Sequence, residues 1–159
     1  MKRFAIVLLM LAACRTTSTT TSNAGAPAPA TGNQSIGGPT PRLAVEQFLV
    51  AVHAQDLQAM STVFGTSRGA SRDNIDREQL EKRLIILQCY FNHDKFRIIS
   101  ENAGEAGHRV LTVELTRGRL IRLPHFYTIR GPGDRWFVDN MEIAAVREFC
   151  SEQGRAKTQ

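Results

Sequence analysis

The chain of 159 residues has no long apolar run, no pair of closely spaced cysteines, no internal repeat and no recognisable catalytic motif. Crossing a bilayer as a helix takes roughly 20 apolar residues, and the longest such stretch, residues 4–13, has about ten. It is too short to remain as a span. The absence of a CxxC removes the usual zinc and redox spacing, and nothing in the spacing of the cysteines or histidines points to a metal or another cofactor. Positive charge is in modest excess: 20 Lys and Arg against 15 Asp and Glu, a net +5 that falls to +3 if Lys2 and Arg3 are removed. A surplus of that size implies no nucleic-acid partner.

What is present begins with an export signal. Lys2 and Arg3 give a positive start, Phe4 to Met10 form an apolar core, and small residues precede Cys14. Leu11-Ala12-Ala13-Cys14 resembles the lipobox of bacterial lipoproteins. That resemblance implies cleavage before Cys14 and lipidation of its thiol and new amino group, giving a membrane anchor. Stable anchoring takes at least two acyl chains, which a triacylated cysteine supplies. Arg15 stands where an aspartate commonly signals inner-membrane retention, so the resemblance implies a cell-envelope lipoprotein of the outer membrane, on its periplasmic side or its surface.

Residues 14–40 then read as a tether. Ser, Thr, Ala, Gly and Pro dominate, and Ile36 is the single large apolar residue. Such a segment cannot bury enough surface to offset its ordering entropy. As a flexible coil it spans on the order of 30 Å.

Residues 41–150 have the length of one domain, with 151–159 as a tail. Val45, Phe48, Leu49 and Val52 form the stripe of a first helix, with Pro41 in its first turn. Asp56 is placed to cap a second, with Leu57, Met60 and Phe64 inward and Gly65 as its stop. A loop is predicted over 66–75. Asp76 opens a third helix, Leu80, Leu84, Leu87 and Phe91 form its stripe, and Ile85, Ile86 and Tyr90 suggest burial on a second side.

After His93 the period becomes two. Phe96 and Ile98 start one strand, Leu111, Val113 and Leu115 form a second, and Gly118 marks a turn. Ile121, Leu123, His125, Tyr127 and Ile129 alternate along a third, Gly131-Pro132-Gly133-Asp134 makes a hairpin turn, and Trp136 to Ile143 completes the fourth. The expected fold class is therefore α+β: three N-terminal helices packed on a curved antiparallel sheet of about four strands.

Two segments carry a resemblance to the nuclear transport factor two-like superfamily. AVEQFLVAVHAQDLQAMSTVFG is similar to its first helical pair, and GPGDRWFVDNMEI to its last hairpin. The resemblance spans residues 42–149 in element order. It implies a cone in which a curved sheet wraps the helices and leaves a pocket at the wide end. Members include ketosteroid isomerase and scytalone dehydratase, together with proteins that only bind or dimerise, so the fold alone assigns no activity.

With Cys14 committed to lipid, Cys89 and Cys150 remain. Oxidising conditions outside the inner membrane favour a bond between them. Two free buried thiols and an intermolecular bond are the alternatives. For catalysis, the candidate set is His125 and Tyr127 on one strand face with Asp139 from the neighbouring strand, a group suited to proton abstraction or carbonyl polarisation. A buried, hydrogen-bonded histidine and a rim tyrosine account for the same letters. His53, His93 and His108 read as surface residues. Arg117, Arg119 and Arg122, with Arg130 and Arg135, suit binding of phosphate or carboxylate groups, against the alternative of a solvated face paired with Glu114 and Asp134. The leading expectation is a non-catalytic module. It would bind a small apolar ligand or another envelope protein, or dimerise through the sheet face. A lyase- or isomerase-like enzyme is the alternative.

Overall fold

Thr40 accepts a hydrogen bond from the amide of Leu43 at 3.2 Å, and Pro41 occupies the first turn, so α1 (Pro41–His53) begins at a satisfied N-terminus. Its inward stripe of Ala44, Val45, Phe48, Leu49 and Val52 is fully buried. Gln55 takes a positive φ of 58° and turns the chain into α2 (Leu57–Val63). Asp56 caps that helix by accepting from the amide of Ala59 at 2.9 Å. α2 ends at Phe64, and Gly65 opens a two-residue strand.

The computed structural model describes residues 36–151, all within one compact unit, Gly32–Gln159. The expected signal segment, the expected lipobox with Cys14, the expected linker up to residue 35 and the expected tail from residue 152 lie outside the described residues.

Between α2 and α3 the predicted loop is more ordered than its composition suggests. β1 (Gly65–Thr66) and β2 (Gly69–Ala70) pair as a small hairpin, followed by a 3-10 turn at Ser71–Asp73. α3 (Arg77–Phe91) is capped by Asp76, whose carboxylate accepts from the amides of Glu78 and Gln79, both at 3.1 Å. Leu80, Leu84, Leu87 and Phe91 are buried as expected. Ile85 and Ile86 are not: they are 49% and 53% exposed, which corrects the expectation for these two, whereas Tyr90 is partly buried against the core.

The sheet has five strands where about four were expected. β3 (Lys95–Ala103), β4 (Arg109–Arg117), β6 (His125–Arg130) and β7 (Trp136–Met141) pair antiparallel in the order β3-β4-β6-β7. The extra strand, β5 (Leu120–Arg122), folds back on the end of β4 through Gly118. Pro124 separates it from β6, so one apparent alternating run is two strands.

Leu111, Val113 and Leu115 of β4 face the helices and are fully buried. Directly opposite Leu111 stands Phe126, which meets the rings of Phe48 and Phe91 at centroid distances of 6.3 and 5.2 Å. A closing 3-10 segment, Ile143–Cys150, buries Val146 and Phe149 against this core. A Cys89–Cys150 disulfide, with Cα atoms 5.1 Å apart, ties it to α3.

The domain also starts earlier than residue 41. Gly38 exchanges two backbone hydrogen bonds with Trp136, at 2.7 and 2.8 Å, and thereby covers the outer edge of β7. Arg135 fastens the same strap by donating to the carbonyls of Ile36 and Gly37 at 2.7 and 2.6 Å. The last residues assigned to the linker therefore belong to the fold.

Candidate functional site

Register across three strands assembles a site that sequence spacing does not reveal. Val110 of β4 stands opposite Tyr127 of β6, and Tyr127 opposite Asn140 of β7, so the three form one row. This row lies on the face away from the helices, because its neighbours Leu111, Phe126 and Met141 form the buried one. His108 precedes the row by two residues, at the end of the turn between β3 and β4. Asp139 adjoins it on β7.

The imidazole of His108 is held at both nitrogens. Nδ1 lies 3.0 Å from the carbonyl of Glu105, and Nε2 lies 2.8 Å from Oδ2 of Asp139. Both partners are acceptors, and only the doubly protonated ring donates to both. The hydrogen bond to Asp139 accordingly raises the His108 pKa above its ordinary value of 6.5. Ala106, with a positive φ of 50°, turns the chain so that Glu105 presents its carbonyl here. Together with Tyr127, Asn140 and Val110, these groups line an open cleft of about 570 Å³.

The expected set of His125, Tyr127 and Asp139 is therefore rearranged. Tyr127 and Asp139 line the same cleft, but the histidine bonded to Asp139 is His108, and His108 is not the surface bystander its position suggested. His125 turns instead to Glu142, with Nδ1 at 2.8 Å from Oε2. His125, Tyr127 and Ile129 do share a face, as their parity predicts, but that face looks outward while Phe126 and Thr128 look in. Thr128 is reconciled with burial by donating its hydroxyl to the carbonyl of Arg109 at 3.4 Å.

His93 is a second correction, for it is buried and not at the surface. Its Nδ1 faces the carbonyl of Phe91 at 2.8 Å, and its own carbonyl accepts from Nδ1 of His53, also at 2.8 Å. Burial pushes its pKa below the usual imidazole value. This is a structural junction between the end of α1, the end of α3 and the start of β3. Among the described residues no three His, Cys, Asp or Glu side chains group as a metal site.

The arginines are also accounted for in part. Arg117 donates to the carbonyl of Phe149, and Arg122 pairs with Glu148. Arg119 stands exposed in the β4–β5 turn. Of the two acids expected to partner this cluster, Asp134 does so by pairing with Arg130, whereas Glu114 pairs with Arg97 outside it.

Two further depressions flank α3. One, of about 430 Å³, lies against α2 and is lined by Leu57, Ser61, Arg72, Arg77, Leu80 and Leu84. The other, of about 270 Å³, is walled mainly by Phe64, Ile86, Leu87, Met141 and Ile143, with Asp139 and Asn140 at its margin. The second opens at the seam between α3 and β7, where Leu87 and Met141 belong to the core, and the interior beyond holds the rings of Phe48, Phe91 and Phe126. Comparison with family models, with curated proteins and with solved structures finds no match to this chain.

Proposed function

We propose that this chain is a lipid-anchored lipoprotein of the bacterial cell envelope, held through Cys14, whose folded part is a non-catalytic binding or protein-interaction module of the nuclear transport factor two-like kind. Its α+β order, with three helices ahead of an antiparallel meander, supports the fold reading. The anchor reading rests on the signal segment and lipobox. The observation that carries the functional reading is the aromatic filling by Phe48, Phe91 and Phe126, fully buried where a cone of this kind would keep its pocket. Recognition then falls to the surface. The shallow apolar groove between α3 and β7 suits a small apolar ligand or a partner's side chain.

The experiment is metabolic labelling of the full chain with a palmitate analogue, beside Cys14→Ser. Label in the wild type that vanishes in the variant supports the anchor. Label absent from both rejects it. A thermal-shift screen of the oxidised protein against fatty acids, steroids and other small apolar compounds tests the groove, with native-envelope crosslinking for a protein partner.

The alternative, a lyase- or isomerase-like enzyme, is favoured by one observation: a histidine bonded to Asp139 lines the same cleft as Tyr127. In that reading protonated His108 is the proton donor, and the rate falls as pH rises through its raised pKa.

A further inference from the structure

The β4–β5 hairpin turns two large aliphatic side chains away from the core. Leu120 packs against the buried cluster and Arg122 reaches back to Glu148. The intervening and following residues, Ile121 and Leu123, therefore project the other way, and they are 57% and 53% exposed. Here the two stand with one residue between them at a sheet end, each more than half exposed among the described residues.

Two cations stand beside them, with the carboxylate of Asp94 bound at the hairpin turn. Lys95 stands opposite Thr116, and Thr116 opposite Ile121, so Lys95 and Ile121 belong to one row on the outer face. Arg119 occupies the hairpin turn and is exposed. The nearby acids are engaged: Asp94 accepts from the amide of Gly118 at 2.6 Å, and Glu148 holds Arg122. Lys95 and Arg119 have no ion-pair partner among the described residues. Aliphatic side chains flanked by two such cations match a membrane interface, where apolar groups enter the acyl boundary and cations meet lipid phosphates.

We infer that the β4–β5 hairpin is a membrane-docking element, in which Ile121 and Leu123 insert into an anionic phospholipid surface and Lys95 and Arg119 engage its headgroups. The inference rests on the envelope-anchor reading for its biological setting: a lipid at Cys14 and a tether of about 20 residues keep the domain near a bilayer, and the hairpin decides which face lies on it.

The test uses Gly32–Gln159, which contains the whole described core, sheet and disulfide. It lacks Cys14, so lipidation does not enter the result, and failure here is separable from failure of the labelling experiment. The oxidised protein is sedimented with vesicles of phosphatidylethanolamine and phosphatidylglycerol, and with vesicles of phosphatidylcholine alone. Expected are binding to the anionic vesicles, weakening with salt, and a loss of about tenfold or more in Ile121→Ser/Leu123→Ser. Lys95→Ser/Arg119→Ser should bind less and show a flatter salt dependence. Both variants alter exposed positions, and an unchanged thermal midpoint confirms that they fold. No binding by the wild type, equal binding to neutral vesicles, or an unaffected Ile121→Ser/Leu123→Ser variant overturns the inference. So does a wild-type dimer that dissociates in that variant, which would make a second copy the occupant.

Discussion

The imidazole of His108 and the carboxylate of Asp139, 31 residues apart in sequence, meet at 2.8 Å across the outer face of the sheet. The pair couples the β3–β4 turn to the edge strand β7. Because the bond raises the His108 pKa above 6.5, its stabilisation is fully present below that value and is lost as pH rises through the folded-state pKa. Asp139→Asn should lower the His108 pKa toward its ordinary value, measured by NMR titration of the ring. It should also cost about 1 kcal/mol at pH 6 and little at pH 8.5, read from urea denaturation.

His93 runs in the opposite direction. Burial lowers its pKa, so the unfolded chain takes up a proton before the folded one does. Its contribution is complete above pH 6.5 and is lost as pH falls from there toward the folded-state pKa. The expected consequence is a contribution that falls on acidification, opposite in sign to that of the His108 pair. His93→Gln, which keeps a donor and an acceptor near Phe91, should flatten the slope of stability against pH between 5 and 6.5 (a slope unchanged from wild type would count against His93 as its source).

Sequence periodicity foretells the helices well and the sheet faces poorly, and the reason is register. The stripes Val45/Phe48/Leu49/Val52 and Leu80/Leu84/Leu87/Phe91 are set by local geometry, and all eight residues are buried. Ile85 and Ile86 mislead because apolar letters beside a stripe say nothing of whether a neighbour covers them. In the third predicted strand the alternation is right, but the apolar-looking residues Ile121, Leu123 and Ile129 occupy the outer face. The inner one is fixed by Leu111 standing opposite Phe126, a pairing set by the Gly118 turn and the break at Pro124. The His108–Asp139 pair is invisible for the same cause. It exists only once Val110, Tyr127 and Asn140 are aligned across three strands.

Reducing the Cys89–Cys150 bond should destabilise the domain without unfolding it. The bond closes a loop over a sequence separation of 61, for which chain entropy gives about 4 kcal/mol. Val146 and Phe149 remain buried, and Arg117 still holds the Phe149 carbonyl. Cys89→Ser/Cys150→Ser should therefore keep its far-UV circular dichroism while its denaturation midpoint drops. Hydrogen exchange in Ile143–Cys150 should rise ahead of exchange in β4. Uniform acceleration across the domain would mean that this segment is not a separable lid on the core.

The strap over β7 makes a prediction in which crowding and backbone strain separate. A Cβ built on Gly38 would stand 2.4 Å from the amide nitrogen of Ala44 and 2.6 Å from its Cα. These are backbone atoms of a helix that cannot yield, so Gly38→Ala must push the strap off Trp136 and break two hydrogen bonds. A loss of about 2–4 kcal/mol is expected, together with faster proteolysis near residue 38 as the β7 edge opens. Gly107 supplies the control. Its φ of +80° is strained for any other residue, but a Cβ there meets nothing within 4 Å. Gly107→Ala should cost only the conformational penalty of about 1–2 kcal/mol and leave β7 as protected as in the wild type. If the two variants lost equal stability and showed equal cleavage, the close approach of Gly38 to α1 would not be what seals this edge.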